Sequence, residues 1–184
     1  MTISVQKRSS IYKGRVFELT AEEITLPNNT HMTIDIIRHP GASAIVPVLN
    51  SGNVVLLRQY RHAVGGDIWE IPAGTFDGPE DPLICAKREL TEETGYIGQS
   101  WTRLGEITPV PGYSDERIHL FLAAGLTLST QNLDVDEVIQ VHDIAFKAAM
   151  DMVFSGEIQD AKTIAGLCLA ARVLQNSSRH NSDV

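Results

Sequence analysis

The most constraining feature of this 184-residue chain is a cluster of three glutamates, Glu89, Glu92 and Glu93, within little more than one helical turn. Side chains three and four positions apart lie on one face of a helix, so Glu92 and Glu93 flank the line that runs up from Glu89. Like charges at this spacing repel each other unless a positive charge lies among them. Because divalent cations such as Mg²⁺ and Mn²⁺ prefer carboxylate oxygens, the cluster predicts a metal site; a solvated acidic helix face is the alternative.

The residues around the cluster predict a helix that can bury one side. Asp81 is a favourable N-cap, and Pro82 suits the first helical position. Gly95 favours the left-handed conformation in which helices often end. Upstream, residues 68–74 are typical of a strand that ends in a glycine-containing loop. The apolar positions of the helix recur at helical spacing: Leu83, Ala86 and Leu90.

Composition narrows the class of protein. Hydrophobic residues make up 43% of the chain and charged residues 21%, as in an ordinary globular domain. No apolar run is long enough to span a membrane, and the N-terminus lacks a signal-peptide pattern. Cys85 and Cys168 form no disulfide or zinc pattern, so we expect the reducing cytoplasm. A net charge of −8 argues against a nucleic-acid partner, although an acidic protein can still bind a small phosphorylated ligand if metal ions and local arginines supply positive charge.

The remaining pattern predicts mixed strands flanked by helices. Apolar and polar positions alternate through residues 1–40 with a turn at 26–30, which indicates a small N-terminal antiparallel sheet. An α/β/α sandwich is expected for residues 41–176, and the polar tail 177–184 is expected to fray. Further strands are predicted at 42–49, 54–60, 103–108, 118–126 and 138–143, and further helices at 144–154 and 161–175.

The acid cluster belongs to a longer pattern that resembles the Nudix box. Every fixed position of that box is present, in a strand–loop–helix context, and Glu80 and Arg88 are placed to pair and brace the loop. The chain therefore resembles a Nudix hydrolase, which implies the Nudix α/β/α sandwich with a mixed sheet. The matching positions are Gly74, Glu80, Arg88, Glu89, Glu92, Glu93 and Gly95, with apolar Leu90 and Tyr96.

Four other segments are similar to the branch of ADP-ribose pyrophosphatases and nucleoside-diphosphate-sugar hydrolases. The resemblance runs from about Tyr12 to Leu174 and implies hydrolysis of the diphosphate bond of ADP-ribose to AMP and ribose 5-phosphate. Alternatives are the same chemistry on another nucleoside-diphosphate sugar such as GDP-mannose, a catalytically silent module that binds nucleotide sugars, and a scaffold that uses the fold only for dimerisation. The segments are residues 57–61, 69–74, 109–116 and 156–163.

The resemblance also implies roles for individual residues. Glu89, Glu92 and Glu93 would bind Mg²⁺, for which Mn²⁺ can substitute, and the carbonyl of Ala73 would add a backbone ligand. Glu92 and Glu93 are also catalytic candidates. In this branch the catalytic base often comes from a loop before the last strand, here 133–137, and Glu137 is the choice. Asp134 and Asp136 are alternatives, as is a solvated acidic loop without a role.

Substrate-binding candidates are Arg61, Arg38, Glu116 and Phe17. Arginine makes bidentate contacts with phosphate and ribose oxygens, although an exposed structural arginine is the alternative reading. Glu116 lies in a loop that the family places near substrate. Phe17, or else Tyr12, could stack on a base, whereas a core position is the commoner fate of a strand aromatic. The branch usually exchanges its N-terminal sheet between subunits, so the resemblance implies a homodimer.

Overall fold

The computed structural model describes residues 3–133, 135 and 137–180, without the side chains of 177–180. The chain divides into two compact units. One contains the residues up to Gly41 together with Thr108–Arg117, and the other contains Ala42–Ile107 together with the residues from Ile118 onward. The prediction placed the boundary near residue 40 and did not assign 108–117 to the first unit.

The first unit is a three-stranded antiparallel sheet in the order β1–β2–β3, formed by Ser4–Lys13, Glu18–Thr25 and His31–Arg38. The predicted turn at 26–30 is confirmed, since the Leu26 N–H donates to the Thr30 carbonyl at 2.9 Å. The loop Thr108–Arg117 lies along β3: the Ile37 N–H donates to the Tyr113 carbonyl at 2.8 Å. The small N-terminal sheet is therefore present as predicted.

The second unit has a mixed sheet as its centre. Its four strands run in the order β7–β4–β10–β9, and only the β4–β10 pair is parallel. A second sheet has the order β12–β5–β6, and β8 and β11 form a short pair. The strands are β4 Ala42–Pro47, β5 Asn53–Arg61, β6 Gly66–Glu70, β7 Ala73–Thr75, β8 Tyr96–Ile97, β9 Ser100–Ile107, β10 Ile118–Ala124, β11 Thr127–Leu128 and β12 Ile139–Ala145; the helices are α1 Pro82–Thr94, α2 Phe146–Ser155 and α3 Ala161–His180.

Alternation along the buried strands produces the sandwich. Ala44 and Val46 of β4 pack in one core cluster with residues of α2 and α3, whereas Ile45 packs in another with Ala86 and Leu90 of α1. Because successive side chains of a strand point to opposite faces, the sheet has α1 on one face and α2 and α3 on the other. The predicted α/β/α sandwich is confirmed. Among the described residues, no helix is long and apolar enough to cross a membrane.

Several element boundaries differ from the predicted ones by a few residues. Residues 68–74 form two strands because Pro72 has no N–H and the Ile71 N–H donates to the Thr163 hydroxyl instead of a neighbouring strand. Helix α2 begins at Phe146, since Ile144 still pairs with Val54 in the sheet. Helix α3 continues to His180, beyond the predicted end at 175, and residues 181–184 lie outside the described part.

We expect the contact between α1 and the sheet to dominate the stability of the second unit. Leu90→Ala removes a fully buried side chain and should lower the free energy of unfolding by about 2–5 kcal/mol in urea titrations followed by circular dichroism. Ile84→Ala, an exposed position on the same helix, should change it by about 0.5 kcal/mol or less. Equal losses in the two variants would contradict this packing.

Candidate active site

Helix α1 is held at both ends by the residues that the sequence indicated. The Asp81 carboxylate accepts hydrogen bonds from the N–H groups of Leu83 at 2.9 Å and Ile84 at 3.3 Å. Gly95 ends the helix with φ of 71°, and its N–H donates to the Thr91 carbonyl. Both caps satisfy backbone groups that a helix end leaves without partners. The acid-bearing helix is therefore fixed in register against its sheet.

The acid cluster is largely buried. Only 8% of Glu89 and 3% of Glu93 is exposed, and both lie on the part of α1 that also buries Ala86 and Leu90. Glu92 is half-exposed. The solvated-face alternative is therefore wrong for Glu89 and Glu93. Because ionised carboxylates are costly to bury without partners, their environment must supply compensation.

Arg88 supplies part of that compensation. Its guanidinium donates to Glu89 at 2.6 Å and to Glu92 at 3.1 Å, and its other edge donates to Glu80 at 2.9 Å. It also donates to the carbonyl of Thr75 at 3.2 Å, so it joins the helix to the loop before it. The predicted Glu80–Arg88 pair is confirmed. These acceptors, Glu80 above all, raise the pKa of Arg88, which stays charged.

Gly74 is required by the close approach of the loop to Glu89. A Cβ atom built at this position would overlap the Glu89 carboxylate. The Gly74 and Thr75 carbonyls also lie against the Cys85 thiol, at 3.4 Å and 3.9 Å from its sulfur. Any side chain at residue 74 would therefore displace the acid. This steric constraint accounts for a glycine at a fixed position of the box.

The two buried acids lack sufficient positive charge around them. Burial raises the pKa of Glu89 to about 7, and the charges of Glu92 and Glu137 add to the rise while Arg88 opposes it. Burial also raises the pKa of Glu93 well above its usual value, with a further rise from Glu89. The Ala73 N–H, which donates to Glu93 at 2.9 Å, opposes that rise. Both pKa shifts show that the charged pair would be stabilised by an additional cation.

The donor chemistry of this cluster fits a hard divalent cation, although the side chains are not arranged around one. Within residues 3–133, 135 and 137–180, no group of three or more His, Cys, Asp or Glu side chains is disposed to hold an ion. Glu89 and Glu92 contact Arg88 instead, and Glu93 contacts the N–H of Ala73. The Ala73 carbonyl as a ligand stays a prediction. Carboxylate oxygens are nevertheless the ligands that Mg²⁺ or Mn²⁺ prefers.

Glu137 lies within electrostatic range of the cluster. Its negative charge raises the pKa of both Glu89 and Glu93, and its side chain is half-buried. A solvated loop acid far from the site would have no such effect. Asp134 and Asp136, the alternatives in the same loop, lie outside the described residues.

Arg61, at the end of β5, also acts on the cluster. Its positive charge lowers the pKa of Glu93, against the larger effect of burial. Its Nε donates to the buried carboxylate of Glu70 at 2.7 Å. Glu70 has no role predicted from the sequence, although a single acid between the apolar residues Trp69 and Ile71 is a signal that could have pointed to it.

The other substrate-binding candidates lie in the first unit. Phe17 and Arg38 line one surface pocket, together with Lys13, Arg15 and His39 among its other residues. Phe17 and Tyr12 are both exposed, with ring centroids 6.5 Å apart, so the alternative of a core aromatic is wrong for each. The pocket combines cationic side chains with an aromatic ring.

Arg38 is held in place from two sides. It donates to the buried carboxylate of Glu22 and, at 2.8 Å, to Asp115. Burial favours protonation of Glu22, but hydrogen bonds from Arg38 and Arg8 lower its pKa overall. Glu116 lies with its carboxylate 3.8 Å from the ring of His39, which lines the same pocket as Arg38. Arg38 therefore has structural partners as well as an accessible position, and Glu22 was not anticipated.

Comparison with known proteins agrees with this geometry. Residues 38–165 match the family model described as NUDIX domain. An ADP-ribose pyrophosphatase of Bacillus subtilis (strain 168) is 37% identical over 158 residues, 85% of each protein. A methanol dehydrogenase activator of Bacillus methanolicus is 35% identical over 176 residues, 95% of this chain and 94% of that protein. A GDP-mannose pyrophosphatase of Klebsiella pneumoniae subsp. pneumoniae is 32% identical over 164 residues, 84% of this chain and 81% of that protein.

A solved structure supports the fold independently. The chain described as an ADP compounds hydrolase superposes with a TM-score of 0.85 and 19% sequence identity, and 97% of each chain is covered. At this identity the likeness establishes the fold alone. The architecture expected from the box is therefore confirmed by both sequence and structural similarity.

The contact between Gly74 and Glu89 can be tested directly. Gly74→Ala should lower the free energy of unfolding by about 1–3 kcal/mol, because the new methyl group displaces a packed carboxylate. It should also reduce the rise in Tm that Mg²⁺ produces, since a bound ion stabilises only the folded state. Gly66→Ala, which would meet no atom within 4 Å, is the matched control and should retain both properties. A wild-type response in Gly74→Ala would contradict the steric argument.

Proposed function

The chain belongs to the NUDIX domain family, and on that premise we propose that it hydrolyses the diphosphate bond of ADP-ribose to AMP and ribose 5-phosphate. The observation that carries the proposal is the buried pair of Glu89 and Glu93 beside Gly74, on a helix with a complete Nudix box. Similarity to an ADP-ribose pyrophosphatase over 85% of the chain supports this substrate. As a member of this family the chain is a pyrophosphatase of the hydrolase class.

We assign Mg²⁺ binding to Glu89, Glu92 and Glu93, with the Ala73 carbonyl as a backbone ligand and Mn²⁺ as a possible substitute. When bound, the ion would supply positive charge that offsets the negative charge developing on the diphosphate oxygens. Glu89 and Glu93 support this assignment because burial raises their pKa values and the nearby positive charges do not offset that rise. Glu92 is half-exposed and reaches the cluster through its contact with Arg88.

Glu137 is our candidate for the general base. A base must lie within hydrogen-bonding reach of the attacking water in the substrate complex, directly or through one more water. The effect of Glu137 on both Glu89 and Glu93 supports a position beside the cluster. In this role its carboxylate would accept a proton from the water as the water attacks phosphorus. Glu93, the most deeply buried acid of the cluster, would keep the reacting groups in place.

Arg61 is our candidate for holding a substrate phosphate, since its guanidinium can make two parallel hydrogen bonds with phosphate oxygens. Arg38 and Phe17 are proposed to bind the nucleoside, with the ring of Phe17 stacking on the base. Glu116 is proposed to accept hydrogen bonds from ribose hydroxyls. Another nucleoside-diphosphate sugar such as GDP-mannose is the alternative substrate.

Glu93→Gln should reduce turnover of ADP-ribose on the order of a hundredfold or more, because a group that stabilises the reacting charges is lost. Glu106→Gln, the same chemical change on β9, should retain wild-type turnover. The measurement is product formation from ADP-ribose, GDP-mannose and related sugars in the presence of Mg²⁺, resolved by chromatography. Unchanged turnover in Glu93→Gln would refute the assignment.

The same panel separates the other hypotheses. Preferential cleavage of GDP-mannose would change the assigned substrate but leave the proposed hydrolysis of a diphosphate bond in place. A silent module would bind ADP-ribose without cleaving any compound of the panel, and a scaffold would do neither. Loss of turnover after chelation of divalent ions, with recovery on adding Mg²⁺, would support the metal assignment.

We also propose that the protein is a homodimer assembled through residues 1–40. All ten residues of β1 are exposed, including the apolar Val5, Ile11 and Tyr12. A long edge strand that exposes apolar side chains is a ready site for pairing with another chain. A second copy of this chain would cover it.

Light scattering after size-exclusion chromatography at micromolar concentration should give about twice the 20.2 kDa mass of the chain. Ile11→Asp should shift the mass toward the monomer, because it places a charge on the proposed interface. Ile84→Asp is the control, since Ile84 is 59% exposed on α1 and Ile11 is 55% exposed. A monomeric wild-type protein would contradict the proposal.

A further inference from the structure

A second buried carboxylate, outside the acid cluster, lies between two cations. The side chain of Glu70 is 4% exposed. One of its oxygens accepts from the Nε of Arg61 at 2.7 Å, and the other contacts the ammonium of Lys162. A buried carboxylate is stabilised only when positive charges and hydrogen-bond donors surround it. Glu70 and its two cations, Arg61 and Lys162, therefore stabilise one another.

The first turn of α3 sets the position of Lys162. Asp160 precedes the helix and accepts from the Thr163 N–H at 2.9 Å and from its hydroxyl at 2.6 Å. The Thr163 hydroxyl in turn accepts from the Ile71 N–H at 2.8 Å. Lys162 contacts Asp160 at 3.1 Å as well as Glu70. The start of α3 is therefore hydrogen-bonded to Ile71, the residue next to Glu70. This hydrogen bond fixes the backbone that carries the Glu70 carboxylate.

Arg61 needs such an anchor because of its place in the sheet. It is the last residue of β5 and pairs with Gly66 across the turn, while Glu70 pairs with Leu57 further along the same two strands. Its side chain therefore runs back along the sheet to reach Glu70. Of the Arg61 side chain 40% is exposed. Without a fixed partner, a long, half-exposed arginine beside a turn would sample many rotamers.

We propose that Glu70 is a positioning residue for the reaction: it holds Arg61 by the Nε edge so that the Nη edge of the guanidinium is presented to a substrate phosphate. The inference rests on the proposed function, in which Arg61 binds phosphate. Lys162 balances the second oxygen of Glu70, so the carboxylate stays ionised and oriented. Because only two residues separate Glu70 from Ala73, whose N–H contacts Glu93, the same stretch of chain positions both the arginine and the acid cluster.

The first test measures Arg61 without requiring activity. The NMR signal of the Arg61 Nε–H, assigned by its absence in Arg61→Ala, should be resolved and slow to exchange with solvent in the wild type. In Glu70→Gln it should exchange at least tenfold faster, because the amide cannot accept from both Arg61 and Lys162. Asp151→Asn, which removes the acid of an exposed pair with Lys147, should leave the signal unchanged. An unchanged signal in Glu70→Gln would overturn the inference.

The second test uses steady-state kinetics with ADP-ribose in a double-mutant cycle. Glu70→Gln should raise KM about tenfold with a smaller change in kcat, as Arg61→Ala should, because both remove the same phosphate contact. On the Arg61→Ala background, Glu70→Gln should have less than a twofold further effect. Additive effects would show that Glu70 acts through stability or another residue and would overturn the inference.

If Glu70→Gln fails to fold, a second variant keeps the inference testable. Glu70→Met/Lys162→Met replaces the buried pair with apolar side chains of similar length, a change that proteins often tolerate. It should show the same fast exchange at Arg61 and the same non-additivity with Arg61→Ala. Absence of any wild-type cleavage, with a slow Arg61 signal that depends on Glu70, would refute the proposed function while leaving the anchoring of Arg61 intact.

Discussion

The burial of Glu89 against Gly74, which carries no side chain, and of Glu93 against the Ala73 N–H is the constraint on which the rest of the site depends. Two acids can lie this deep only if the loop before α1 approaches closely and brings its N–H and carbonyl groups with it. The caps at Asp81 and Gly95 fix the length and register of the helix that carries them. Packing of Leu90 and its neighbours then supplies the apolar contacts that keep the helix on the sheet.

Charge balance follows from that burial. Arg88 is shared among Glu80, Glu89 and Glu92, so one cation joins the loop to the helix but does not reach Glu93 in the described contacts. Burial, together with this remaining negative charge, raises the pKa values of Glu89 and Glu93. A divalent ion and a cationic residue such as Arg61 are the natural complements to such a surplus. The acid cluster on α1 therefore has an excess of negative charge, which a bound divalent ion would offset.

The sequence predicted the local features well because they depend on residues close together in the chain. The caps of α1, the Glu80–Arg88 pair and the turn at 26–30 all involve near neighbours. Glu70 was missed because its partners include Lys162, which lies 92 positions away. Glu22 was missed for the same kind of reason, since its role depends on pairing with Arg8 and Arg38 on neighbouring strands. Side-chain periodicity carries no information about such distant partners.

The loop that lies along β3 has a consequence for how the protein is made. Arg38 and Asp115 are separated by 77 positions, yet both belong to the first unit and form an ion pair there. During synthesis the three strands of this unit leave the ribosome before the loop 108–117, so they cannot acquire their full set of contacts until that loop has been made. Until then the edge of β3 lacks its native neighbour. The first unit is therefore completed only after β4 to β9, which lie between in the chain, have been synthesised.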